Sequence, residues 1–115
     1  MPSSRKPDVS PDHFFALDLR VGRVTGVEPF PEARTPAWKL TVDFGPDVGE
    51  LRTSAQVTNY PREELVGRLV VGAINLGVKR VAGFKSEFLV LGALEPEGLV
   101  HLLAVDGVAP GAPIA

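Results

Sequence analysis

The sequence has no cysteine, one tryptophan, one tyrosine and two histidines in 115 residues. Without cysteine there are no disulfides, no thiolate metal sites and no thiol nucleophile, and the chain suits a reducing cytoplasm. A metal centre would have to be built from histidine and carboxylates. His13 and His101, however, stand far apart and show no His-x-x-x-His spacing, so both read as structural or surface residues and no metal site is expected. A P-loop, a G-x-S-x-G elbow and a dinucleotide fingerprint are likewise missing. Glu63 and Glu64 are adjacent on a helix, so they diverge and do not form an acid/base pair. These absences point away from an enzyme, and no cofactor is expected.

No apolar stretch approaches the length a bilayer requires, and the early cations Arg5 and Lys6 precede nothing like a leader segment. The expectation is a soluble, cytoplasmic protein. A net charge of −2 excludes a wholly cationic coat, so any anion binding must come from a local patch. One glutamine and two asparagines beside eleven prolines suggest a thermophilic source.

What is present is one domain's worth of chain, long enough to bury roughly two thirds of its unfolded surface. Residues 1–9 are polar and proline-bearing and read as a mobile tail; residues 10–115 read as a single domain. Ser10, Pro11 and Asp12 have the chemistry of a helix start, and a short helix should run to about Leu17, with Phe14 and Leu17 on one side. "LRVGRVTGVE" reads as a long first strand in which Val24 falls on the wrong parity, so Gly22 and Gly26 should mark a bulge or sharp coil. "PFPEARTPA" is a loop.

"WKLTVDFG" alternates cleanly and should pair with "ELRTSAQV" as a hairpin. "NYPREELVG" reads as a short helix capped by Asn59 or Tyr60. "RLVVGAINLGV" is apolar on both parities, so its strand needs cover on two sides, the second supplied by something such as another subunit. "EFLVLGAL" is a further strand and "LVHLLAV" a last one. An all-β chain with a short helix between its third and fourth strands has the layout of a five-stranded OB barrel, here with a short N-terminal helix and extra C-terminal strands.

Against that frame "VKRVAGFKSEFLVLG" is unusual. Lys79, Arg80 and Lys85 fall in a run otherwise suited to sheet core, with no acid from 79 to 85 and Gly83 free to turn. A solvated charged loop accounts for the cations alone. Phe84 between them is either a plug for the barrel end or an aromatic for stacking beside phosphate-binding cations. A second cationic loop carries Arg34 and Lys39 around Trp38, which is either a rim aromatic or the outermost core residue of its strand. If the barrel sets these loops side by side, one lip gathers five cations and two aromatics.

Together, "DLRVGRVTGVEPFPEAR", "NYPREELVGRLVVGAINL" and "VKRVAGFKSEFLVLG" resemble the tRNA-binding domain family. "PFPEARTPAWKLTVDFG" and "AGFKSEFLVLG" are most similar to its CsaA-type members, small export-related chaperones. The resemblance covers about residues 13–115 and implies an OB barrel, a homodimer, and tRNA binding through structure more than sequence. For CsaA-type members it implies affinity for unfolded or preprotein polypeptides and for the export machinery. By position, Lys85-Ser86-Glu87 match the family's lysine-serine-glutamate motif at its RNA-facing edge, and Arg34 and Lys39 fall where the family places RNA-contacting cations. Family members that bind tRNA tend to continue the triplet with glycine and methionine. Here it continues Phe88-Leu89, an apolar pair that suits peptide better.

The expected binding set is therefore Arg34, Trp38, Lys39, Lys79, Arg80, Phe84, Lys85, Ser86 and Phe88. The expected function is a non-enzymatic chaperone that also binds tRNA; the alternative is a dedicated tRNA-binding protein acting in trans with an aminoacyl-tRNA synthetase.

Overall fold

Ser10 opens the first element as its position predicts. Its hydroxyl accepts from the Asp12 N–H at 3.2 Å, and Pro11 begins helix α1 (Pro11–Phe15). The helix stops before Leu17, and Phe14, Phe15 and Leu17 are all exposed rather than divided between a dry and a wet side. The structure, a computed structural model, describes residues 4–115. Of the tail expected over residues 1–9, residues 1–3 lie outside the described residues, while 4–9 are exposed and without regular secondary structure.

Strand β1 (Leu19–Pro29) is followed by β2 (Trp38–Asp43) and β3 (Glu50–Ala55), a meander whose second half is the expected hairpin, in register from Trp38↔Ala55 to Asp43↔Glu50. The register of β1 against β2 shifts between Val24 and Gly26. That bulge lets Val24 and Val27, on opposite parities, both reach the core. Gly22 is needed for a different reason: a Cβ there would lie 2.4 Å from Val42 Cγ1, against the inner wall.

Helix α2 (Arg62–Leu65) follows, with Pro61 rather than Asn59 or Tyr60 at its N-cap and no side-chain cap bond, and it buries Leu65 completely. Strand β4 (Leu69–Ala73) pairs with the first half of β1. It is buried on both faces, but a single chain suffices to bury Leu19, Val21, Val71 and Ala73. Residues 111–114 lie along β1 at this point, with Val21 N–H donating to Ala112 O (2.9 Å), Gly111 N–H to Val21 O (2.7 Å) and Ile114 N–H to Leu19 O (2.8 Å). Leu19, Val21, Val71 and Ala73 are thus buried within one chain, while Leu76 and Val78 further along the same apolar stretch stay exposed.

The rest departs from the two strands expected. Strands β5 (Lys79–Val81) and β6 (Phe84–Ser86) form a hairpin of their own; β7 (Leu89–Val90) pairs with β4; and β8 (Gly92–Leu94) pairs with β9 (Val100–Leu102). Each short piece serves a different neighbour, and the chain bends between them.

The main sheet runs β3-β2-β1-β4-β7, and residues 86–88 bring its free end back to β3. This is the five-stranded OB barrel with its short helix between the third and fourth barrel strands. Leu40, Val42, Phe44, Leu65 and Val70 fill it, and Phe44 meets Phe88 edge to face at 4.9 Å.

Candidate nucleic-acid interface

Two connections of the barrel carry the cations: the loop of residues 30–37 between β1 and β2, and the β5–β6 hairpin between β4 and β7. They meet. The Phe30 ring, in the first connection, lies 5.5 Å from Phe84, at the tip of the hairpin, with the planes inclined at 61°. Lys39 Nζ stands 4.8 Å from the Phe30 centroid and 5.1 Å from that of Phe84, while the Arg52 guanidinium lies 4.9 Å over Phe84. Such contacts contribute about 0.5–1 kcal/mol each at exposed sites. They hold the hairpin against the barrel mouth. Arg34 and Lys79, one from each connection, line a common groove of about 890 Å³.

The hairpin is built to display charge. Ala82 (φ 48°) and Gly83 (φ 82°) form its two-residue turn, both at the positive φ that a type I′ turn requires. The register sets Arg80 directly opposite Lys85, and Lys79 opposite Ser86. Like charges facing across a strand pair are destabilising. The ion pairs among the described residues are Asp18–Arg20 and Glu28–Arg52, with a further contact between Glu95 and His101. Arg34, Lys39, Lys79, Arg80 and Lys85 take part in none of them, although the register sets Glu28 directly opposite Lys39.

Three expected site residues make contacts that hold the fold together. Phe88 is 4% exposed with its ring against Phe44, so it is core and offers no aromatic face to a ligand. Trp38 is half-buried: it packs against the core and donates its indole N–H to Tyr60 O at 3.1 Å, while its remaining surface lines a shallow cleft with Phe30 and Arg34. Ser86 closes the barrel. Ser54 N–H donates to Ser86 Oγ (3.3 Å); Ser86 and the buried Thr53 share a hydroxyl hydrogen bond (2.6 Å); and Thr53 Oγ1 donates to Phe88 O (2.7 Å). Glu87 adds to this clasp, its N–H donating to Arg52 O (2.7 Å) and its carboxylate accepting from Arg52 N–H (2.9 Å). Of the Lys85-Ser86-Glu87 triplet, only Lys85 stands free in solvent.

Phe84 is half-buried, and two cations lie over its ring. It anchors the hairpin more than it offers a base a platform. Phe30 and Arg52 belong to the lip but were not expected there. Arg52 carried a faint signal, on the wet parity of β3; the register places it opposite Thr41, on the face of β2 that also carries Lys39. Among the described residues no group of three or more metal-ligating side chains comes together.

A family model described as "Putative tRNA binding domain" matches residues 19–113. The chain belongs to the tRNA-binding domain family. Two solved structures are highly similar to this tRNA-binding domain. The CsaA chaperone protein of Picrophilus torridus is 42% identical with a TM-score of 0.90, over 94% of this chain and 100% of that one. The chaperone CsaA of Bacillus anthracis is 44% identical with a TM-score of 0.89, over 95% and 100%. Among curated proteins, methionine–tRNA ligase 1 of Sorangium cellulosum is 37% identical over 106 residues, which is 91% of this chain and 15% of the ligase. The tRNA-binding domain described here spans only 14–18% of the length of such ligases. No helix among the described residues is long and apolar enough to cross a membrane.

Proposed function

We propose that this protein is a non-enzymatic, homodimeric chaperone of the CsaA type that also binds tRNA, using the cationic lip for RNA and the adjoining groove for unfolded or preprotein segments. One observation carries the reading: the loop of residues 30–37 and the β5–β6 hairpin meet through Phe30 and Phe84, with Lys39 over both rings and Arg34 and Lys79 lining an apolar groove beside them. The first feature suits phosphate, and the second suits polypeptide. Its likeness over full length to two CsaA chaperones supports the second role. Exposed Phe14, Phe15 and Leu17 support self-association, since a small monomer gains nothing by leaving three large apolar side chains wet in one short segment. Work in the cytoplasm alongside the export machinery completes this reading.

Three measurements test it together. Light scattering should give the mass of a dimer, tRNA should be retained in a gel or filter assay at low salt, and the dimer at several-fold excess should suppress aggregation of a denatured client. A protein that binds tRNA yet leaves aggregation unchanged loses the chaperone role. The ligase relatives then favour the second reading, a tRNA-binding module acting in trans with an aminoacyl-tRNA synthetase, which predicts faster aminoacylation on adding the protein.

A further inference from the structure

The groove beside the lip is unevenly furnished. Leu76, Leu89 and Leu94 at its wall are each more than half exposed, an expensive arrangement in water unless something covers them. Thr35, Ser54 and Gln56 interrupt the apolar lining with hydrogen-bonding groups of the kind an extended backbone needs. Among the described residues, its only charged lining residues are Arg34 and Lys79, no aspartate or glutamate lines it, and neither cation is ion-paired.

We infer that the groove selects extended apolar segments flanked by acidic residues and rejects those flanked by lysine or arginine. This refines the polypeptide-binding reading above and rests on it. A leucine-rich segment covers the exposed wall, and carboxylates at its ends meet two cations that have no ion-pair partner among the described residues. A basic flank would meet those cations at close range with nothing to offset the repulsion. The chain's overall charge of −2 pushes the other way, but over longer distances that are screened within about 8 Å at physiological salt. The two nearby cations therefore dominate.

RNA fits the groove less well than the lip. The one aromatic lining the groove, Phe88, is 4% exposed, so no ring face is open for a base to stack on.

The test uses three fluorescent peptides with one apolar core and with glutamate, glutamine or lysine flanks, titrated by anisotropy against the intact protein at low and moderate salt. The glutamate peptide should bind about tenfold tighter than the lysine peptide at low salt, from two exposed ion pairs gained and two like-charge contacts avoided. The preference should shrink with salt, and it should reverse in the R34E/K79E variant. Equal affinities for all three peptides, or a preference for the lysine peptide, would overturn the inference and leave polypeptide binding intact. Failure of every peptide to bind, with no suppression of client aggregation, would overturn both. An oligouridylate whose binding is lost on Leu89→Asp would make the groove a nucleotide site and also overturn the assignment.

Discussion

Replacing Lys79, Arg80 and Lys85 together by glutamate separates charge from fold. All three side chains are exposed and none is ion-paired among the described residues. Because Arg80 faces Lys85 across the hairpin, glutamate at both positions exchanges one like-charge pair for another of similar repulsion. Unfolding free energy should therefore stay within about 0.5 kcal/mol of the parent. Binding should not. Each phosphate contact contributes about 0.7–0.9 to the slope of log affinity against log salt, so three contacts contribute roughly 2–3. Between ~50 and ~200 mM salt, three contacts account for a loss of about 25-fold in affinity, which the variant should no longer show. Filter-binding titrations of tRNA at four salt concentrations measure both slopes, with circular dichroism as the control for fold. A folded variant with the parental slope would refute the placement of the phosphate contacts on this hairpin.

Three further changes probe the frame that holds the lip. Thr53→Val strips the donor from Phe88 O and the partner from Ser86, which should cost about 1–3 kcal/mol; a lower urea midpoint at unchanged m-value, with tRNA affinity retained, is the expected result. Gly72→Ala would set a Cβ 2.8 Å from Phe88 Cδ2 and 3.0 Å from Phe44 Cζ, so it should destabilise by about 1–3 kcal/mol. Part of that loss should return when Phe88→Leu is added, as a double-mutant cycle would show. Ala82→Gly removes a non-glycine residue from φ 48° and should stabilise the hairpin by about 1 kcal/mol, read as slower amide exchange across residues 79–86.

Elements that depend on local chemistry could be read from the sequence. Ser10-Pro11-Asp12 announced the first helix, strict alternation announced β2, and the misplaced parity of Val24 announced the bulge. The stretch from 87 to 94 was read as one strand because its pattern is apolar throughout, while the structure divides it between partners remote in sequence: β3 for residues 86–88, β4 for 89–90 and β9 for 92–94. The same remoteness hid the fate of Phe88. Its place in the core depends on the space left by Gly72 on β4, which only the register reveals. The cations of the lip were legible because charge in an apolar run is conspicuous. Arg52 was not, since a charged residue on the wet face of a strand is ordinary until the fold shows what stands beside it.

The strip formed by residues 111–114 along β1 also has a consequence for biosynthesis. Arg20 and the Gly111 carbonyl it contacts are 91 positions apart, so the edge of β1 near its start emerges from the ribosome long before the segment that will seal it. At translation rates of about 5–20 residues per second the delay is on the order of 5–20 s. Throughout that interval an apolar strand with unpaired amides is open to other nascent chains. The molecule would be most vulnerable to misassembly as it is being made, and slower translation of the intervening stretch should lower its soluble yield.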